Sequence, residues 1–318
     1  MHETMPEAGK LVSVIIPTRH RPVLVARALR SVLAQTYRSI EVIVVLDGPD
    51  DTTEAQLRAT PDDRLRLLVL HAQSGAGAAR NAAAATARGE WVAFLDDDDE
   101  WMPDKLACQI AAAAGRAILV TCRSVVHTPA GQEVWPRTLY DNRIPVDDYL
   151  FDRRSPFRGD GHFGTSTLFM ATTLFARTRF STDRQNEDTT LLLRVTKQAG
   201  AVIVMLPQAL VVLHKMEPRD SLGGRFDWRE MLAWLDGMGA LITARAYSGF
   251  CLIYLGSQAA RRGELRAFPI LLGRAFRRGR PRLMHVLPFL AFWCTPPGLR
   301  RVLRHRLTRP SIAVEHRC

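Results

Sequence analysis

From Leu11 to about Gln208 the chain alternates short, β-branched apolar runs with segments whose apolar positions recur at helical spacing. That alternation predicts a parallel sheet covered by helices. The runs Leu11–Ile16, Ile40–Leu46, Leu65–Leu70, Trp91–Leu95 and Ala117–Val126 are nearly continuous in Val, Ile and Leu, as strands buried on both faces require. Helices are expected between them at Pro22–Ala34, Thr52–Ala59, Gly77–Arg88 and Pro103–Ala114. Two of these open on Pro, whose missing N–H costs nothing in a first turn. Order resumes with a strand at Thr165–Met170 and a helix from Glu187 to Gln198, where Asp188, Leu191, Leu192 and Val195 share one face. Strands at Ala201–Leu206 and Ala209–His214 follow.

Two stretches break the pattern. From Pro129 to Gly164 periodicity fades into Gly, Pro, Asp and Arg, and Pro129-Ala130-Gly131 predicts a hairpin turn before an irregular loop. After Gly223-Gly224 the chain becomes Arg-rich and aromatic, with helical segments broken at Gly263, at Gly279-Arg280-Pro281 and at Pro296-Pro297-Gly298. The expected organisation is an α/β domain over residues 1–222 and a basic helical extension over 223–318.

Composition sharpens that division. The 318 residues carry a net charge of +11, with 47% hydrophobic and 24% charged residues, a globular rather than disordered or fibrous composition. Residues 1–222 hold 26 basic and 27 acidic side chains, whereas 223–318 hold 17 and 5, so the positive balance belongs to the last third. Cys108, Cys122, Cys251, Cys294 and Cys318 are scattered, with no pair at metal-ligand spacing, which disfavours a zinc ribbon and a disulfide scaffold. Met1 to Lys10 is polar, and the longest nearly apolar stretch, Leu283 to Trp293, is too short for a bilayer. The expected location is therefore the cytoplasm, either free or peripheral at the inner face of the membrane.

The chemistry concentrates where strands end. Trp91-Val-Ala-Phe-Leu95 runs into Asp96-Asp97-Asp98-Asp99-Glu100, and so many like charges at one strand end repel unless something positive joins them. Carboxylates at the carboxyl edge of a parallel sheet fit a hard divalent cation on a diphosphate; the ordinary alternative is a solvated acidic loop. Ile40–Leu46 ends in Asp47-Gly48-Pro49, equally readable as a turn. Gly75-Ala-Gly77-Ala-Ala-Arg80-Asn81 follows the third strand and opens a helix, where backbone N–H groups can face phosphate or merely turn the chain. Glu187-Asp188 begins a helix, a common place for capping acids.

In this order and spacing, Pro17-Thr18-Arg19-His20-Arg21, Leu46-Asp47-Gly48, Gly75 to Asn81, Gly89 to Asp99 and Asn186-Glu187-Asp188 resemble the family-2 glycosyltransferases over about residues 10–222. The resemblance implies a GT-A fold and transfer of a sugar, with inversion, from a nucleotide-sugar, with a UDP-sugar favoured. It implies that Pro17, Thr18 and Asp47 line the nucleoside pocket, that Asp96 and Asp98 hold ribose and a Mn or Mg ion, and that Asp188 is the general base. Arg21, Gly75, Arg80, Asn81 and Asp97 are further donor-binding candidates in the matching motifs. His214, after the last strand, is a third candidate metal ligand, although a histidine there is ordinarily a surface residue. His20, Leu46 and Pro49 depart from the usual family residues and bear on which base the pocket prefers.

The expected partners are a nucleotide-sugar donor and a saccharide or lipid-linked acceptor of cell-surface polysaccharide or glycolipid assembly. Arginines of the extension interleave with Phe268, Phe276, Phe289, Phe292 and Trp293, which suits either an anionic membrane surface or a helical layer packed on the catalytic domain. No nucleic-acid-binding module accompanies the charge, so no nucleic-acid partner is expected. A haloacid-dehalogenase-type phosphohydrolase also places D-x-D after a strand, but it wants Thr or Val two residues beyond the second Asp and leaves the earlier motifs unexplained. A catalytically inactive sugar- or membrane-binding module on the same fold is the remaining alternative.

Overall fold

The computed structural model describes residues 9–113, 118–128, 131–152, 161–182, 186–214 and 226–295. In chain order they form β1 (Val12–Thr18), α1 (Pro22–Leu33), β2 (Ile40–Leu46), α2 (Asp51–Arg58), β3 (Leu65–Val69), α3 (Ala76–Ala84), β4 (Trp91–Phe94), β5 (Asp99–Trp101) and α4 (Lys105–Ala112). There follow β6 (Ile118–Thr128), β7 (Gly131–Trp135), α5 (Val146–Phe151), β8 (Phe169–Ala171), α6 (Thr172–Thr178), α7 (Glu187–Leu193) and β9 (Val202–Leu213). The C-terminal helices are α8 (Trp228–Gly237), α9 (Ala244–Gly249), α10 (Gly256–Arg262), α11 (Ala267–Arg278) and α12 (Leu283–Cys294). The chain divides into two compact units, one built from the described residues of 9–128 and 163–214, the other from those of 131–162 and 226–295.

In the first unit β3, β2, β1 and β4 run parallel, with Val12 opposite Ile40 and Trp91, and Thr18 opposite Leu46. Every residue of β1, β2 and β4 is buried, so the unbroken Val/Ile/Leu runs are covered on both faces. The sheet continues through β8, antiparallel to both β4 and β6, then to β9 parallel to β6, and ends at β5 antiparallel to β9. Only Leu95–Asp98 separate β4 from this far edge strand, so the sheet curls. The two strands expected at 201–206 and 209–214 are one: register shifts at Arg123 absorb Pro207 and Gln208, since Pro has no N–H for the ladder. β1, β2 and β4 all finish at the same carboxyl edge, which gathers the loops carrying Thr18, Asp47 and Asp96.

The second unit packs Trp228, Leu235, Phe250, Leu255, Leu271 and Phe289 into its own core. It also takes in a segment that the sequence pattern assigned to the 1–222 domain, the described part of 131–162. The reason is local: Asp147 accepts from the Thr243 N–H, Thr243 Oγ1 donates to Asp148, Phe151 stacks edge-on with Phe250, and Asp152 lies 3.1 Å from both Arg282 and His285. Among the described residues no helix is long and apolar enough to cross a membrane. The expected turn at Pro129-Ala130, the Lys215–Ser221 segment, Gly223-Gly224, the Pro296-Pro297-Gly298 break, Arg300, Arg301, Arg304, Arg306 and Cys318 lie outside the described residues.

Candidate active site

Asp97 joins the end of β4 to the end of β1. Thr18 Oγ1 donates to Asp97 Oδ2 at 2.7 Å and Arg21 Nη1 donates to Oδ1 at 3.0 Å; the same nitrogen lies 3.7 Å from Asp98 Oδ2. Burial pushes the Asp97 carboxyl up to about 6, and the Asp98 charge adds to this against the pull of Thr18 and Arg21. Pro17 sits in register with Val45 beside these groups. His20 is in the left-handed region, at φ 51°, and its N–H donates to Asp50, the N-cap of α2.

Asp47, directly after β2, is saturated by the loop that leads into α3. Its Oδ1 accepts from Ser74 N at 2.7 Å and Ser74 Oγ at 2.9 Å, and its Oδ2 accepts from Gly75 N at 2.9 Å. This carboxylate therefore fixes the Ser74–Gly75 loop, a role that the sequence does not show, since Ser74 belongs to no motif. Asn81 is likewise committed: its side-chain amide exchanges hydrogen bonds with the Phe180 backbone, 3.0 Å in each direction.

Arg80 lies at the centre. It is buried on α3, donates to Asp96 Oδ1 at 2.5 Å and to Glu187 Oε1 at 3.4 Å, and stands 5.0 Å from the Phe180 ring centroid. Burial opposes its charge, but Asp96, Glu187 and Asp188 together hold its pKa above the ordinary value. Gly77 makes this closeness possible, because a Cβ there would stand 2.5 Å from the Ser181 carbonyl oxygen and 3.5 Å from the Glu187 side chain. The glycine pair read as a phosphate-facing turn thus also lets Ser181 and Glu187 approach α3.

Glu187 and Asp188 open α7, after Asn186 in the left-handed conformation. Burial raises both carboxyls above the usual range; the neighbouring Asp188 charge adds to the rise at Glu187, while the Thr189 N–H and Arg80 restrain that of Asp188. Such a shift brings a carboxylate closer to the pH at which it exchanges protons effectively.

The remaining acids of the run divide in role. Asp99 and Glu100 enter β5, where Asp99 accepts from Ser166 Oγ at 2.6 Å. His214 Nε2 donates to Glu100 Oε1 at 2.7 Å, and its ring meets His127 edge-on at 5.2 Å. Arg27 adds a hydrogen bond to the Asp98 carbonyl oxygen and lies 3.6 Å from Glu100. Among the described residues no three His, Cys, Asp or Glu side chains form a metal-holding group, so His214 is placed with Glu100 rather than in a cluster with Asp96 and Asp98. The donor chemistry nonetheless fits a hard cation that arrives with a diphosphate, since Mg²⁺-type ions are held by one or two carboxylates plus phosphate oxygens.

Comparison with known proteins decides the family. The family model described as "Glycosyl transferase family 2" matches residues 13–184, more than half of the chain. The chain belongs to glycosyl transferase family 2. Succinoglycan biosynthesis protein ExoO of Rhizobium meliloti is 42% identical over 117 residues, 36% of this chain and 34% of that protein. UDP-Glc:alpha-D-GlcNAc-diphosphoundecaprenol beta-1,3-glucosyltransferase WfgD of Escherichia coli is 39% identical over 101 residues, 32% of this chain and 40% of that one. The match to this family-2 chain thus spans well under two thirds of the length of either relative. Among solved structures, the mannosyltransferase PcManGT from Pyrobaculum calidifontis, in complex with GDP-Man and Mn²⁺, superposes at a TM-score of 0.53 and 20% identity, covering 96% of this chain and 82% of that one. That likeness carries the GT-A fold.

Proposed function

We propose that this family-2 chain is an inverting, metal-dependent glycosyltransferase that moves a sugar from a nucleotide-sugar to a saccharide or lipid-linked acceptor in cell-surface polysaccharide or glycolipid assembly. The observation that supports it is the Arg80 bridge, in which one guanidinium pairs with both Asp96 of the acidic run and Glu187, the neighbour of Asp188. Pro17, Thr18 and the loop fixed by Asp47 line the nucleoside pocket, and Arg21 and Asp97 close its side toward β4. Asp188 takes the proton of the acceptor hydroxyl as that oxygen attacks the anomeric carbon from the face opposite the diphosphate. The glycosidic C–O bond forms, the C–O bond to the diphosphate breaks, and the configuration inverts in one displacement without an enzyme-bound nucleophile. Asp96 and Asp98 would hold a divalent Mn or Mg ion, which when bound neutralises charge on the departing nucleoside diphosphate.

A UDP-sugar is the preferred donor class, in keeping with the UDP-Glc donor of the relative WfgD, and the diphosphoundecaprenol-linked acceptor of that relative supports the lipid-linked alternative. We place the enzyme on the cytoplasmic side, where nucleotide-sugars are made. The test is thermal melting of the full chain with UDP, GDP, dTDP and CMP, each with and without Mn²⁺, alongside Asp98→Asn. A ligand at a hundred times its dissociation constant adds about 2.7 kcal/mol. A Mn²⁺-dependent shift with one nucleoside diphosphate, lost in Asp98→Asn, is expected. No shift with any of them would replace this reading with an inactive binding module.

A further inference from the structure

The helix α12 presents an apolar stripe to solvent. Leu283, Leu287 and Leu290 are 72%, 56% and 38% exposed, and their spacing sets them on one helical face together with exposed Ala291 and Cys294. The opposite face is the one that packs: Phe289 is fully buried, stacks on Phe268 at 5.1 Å and is backed by Trp293. The helix carries no Asp, Glu, Lys or Arg, and its one histidine, His285, is buried, so nothing along the stripe offsets its apolar character.

The turn leading into α12 is strongly basic. Arg277, Arg278, Arg280 and Arg282 lie within six residues, after Phe276, which is 59% exposed on α11. Arg278 pairs with Asp236 and Arg282 with Asp152, but Arg277 and Arg280, like Arg266 before α11, make no ion pair among the described residues. From Leu265 to Cys294 the sequence contains no Asp or Glu. A second protein surface would normally answer such arginines with acids, and a second copy of this face brings none.

We propose that this face, Leu283, Leu287 and Leu290 with the Arg277–Arg282 turn at its edge, docks on an anionic phospholipid bilayer. An apolar stripe sinks into the boundary between headgroups and acyl chains while arginines meet lipid phosphate, and the two contributions act together. Twelve residues of helix span about 18 Å, against a hydrocarbon core of about 30 Å, so the helix lies on the membrane and does not cross it. The proposal deepens the lipid-linked acceptor reading, because an enzyme held at the bilayer meets such an acceptor in two dimensions.

The experiment is flotation of the full chain with vesicles of phosphatidylglycerol and phosphatidylethanolamine, and with pure phosphatidylcholine vesicles, at low and high salt and without nucleotide. The wild type should float with the anionic vesicles and release with salt. Leu283→Glu/Leu287→Glu and Arg277→Glu/Arg280→Glu should each weaken partition about tenfold or more while keeping the wild-type melting temperature. The positions are exposed, so the fold should survive, and an unchanged melting shift with nucleoside diphosphate verifies it. Failure to bind anionic vesicles, or equal binding by the variants, overturns the proposal. So does a wild-type dimer in light scattering that Leu283→Glu/Leu287→Glu converts to a monomer, which would make the stripe a self-association surface. Because vesicle binding is read without turnover, its failure is distinct from failure of the transferase reading.

Discussion

The Arg80 guanidinium donates to Asp96 Oδ1 at 2.5 Å, joining the helix after β3 to the acidic run after β4. Glu187 meets another nitrogen of the same side chain, so one buried cation counters acids from two separate loops. Removing it leaves those partly buried acids without their partner. Arg80→Gln is expected to destabilise the protein by about 3 kcal/mol, in the range for breaking a buried pair from one side. Urea unfolding at neutral pH measures this, and donor binding should fall with it. A variant as stable as wild type would mean that solvent already screens the pair.

Asp188 is argued to be the base, so its amide should stop chemistry while sparing binding. Asp188→Asn is expected to lower kcat by about 10²–10⁴-fold and to leave the nucleoside-diphosphate melting shift in place. Since burial raises the Asp188 carboxyl, turnover should be lost on acidification at a higher pH than for an ordinary carboxylate, the base being inactive once protonated. Activity of Asp188→Asn within tenfold of wild type would pass the role to Glu187.

Gly77 serves packing more than conformation. Its replacement by Ala puts a methyl group 2.5 Å from the Ser181 carbonyl oxygen, a distance that backbone must yield to. Gly77→Ala should cost about 1–3 kcal/mol, as overpacking usually does, and should lower turnover by displacing Glu187 from Arg80. Melting temperature and initial rate, measured on the same preparation, test both. Loss of stability with full activity would show that the backbone at Ser181 yields without disturbing the site.

Much of this architecture could be read from hydrophobic pattern alone. Ile40–Leu46 forms the strand expected of it to the residue, and the first four apolar runs make the parallel core; β1, β2 and β4 are buried throughout, as strands covered on both faces have no reason to interrupt their apolar sequence, while β3 is half-buried. β5 escaped notice because Asp99-Glu100-Trp101 reads as part of an acidic loop, and only the partner strand β9 makes it a strand. The acidic run was visible as chemistry, yet its division was not: Asp97 turns to Thr18, Asp96 to Arg80, Asp99 to Ser166 and Glu100 to His214, partners as many as 114 positions away. Ser74 and Ser166 are short polar residues with no pattern of their own. The allegiance of the described part of 131–162 is hidden for the same reason, since Asp147, Asp148 and Asp152 find partners far along the chain, at Thr243, Arg282 and His285.

Lys105 offers a test of the core itself. It is fully buried on α4, donates from Nζ to Gln109 Oε1 at 2.7 Å and lies 3.7 Å from the Trp101 ring centroid. Burial pulls its pKa from 10.5 down to about 7, against a smaller upward pull from the Cys122 thiol. In the unfolded chain the amine stays protonated up to its ordinary pKa, so between about pH 7 and 10.5 the unfolded state binds the extra proton. Stability must therefore rise with pH across that window by about 1.4 kcal/mol per unit from this group, and be flat in it below pH 7, where both states carry the charge. Other groups titrate in the same range, and Lys105→Met removes only this one. The unfolding free energy of wild type relative to Lys105→Met should climb between pH 7 and 9.5 with that slope, measured by urea denaturation. A parallel pair of curves would mean that the folded protein keeps Lys105 charged, held by the Trp101 ring and Gln109.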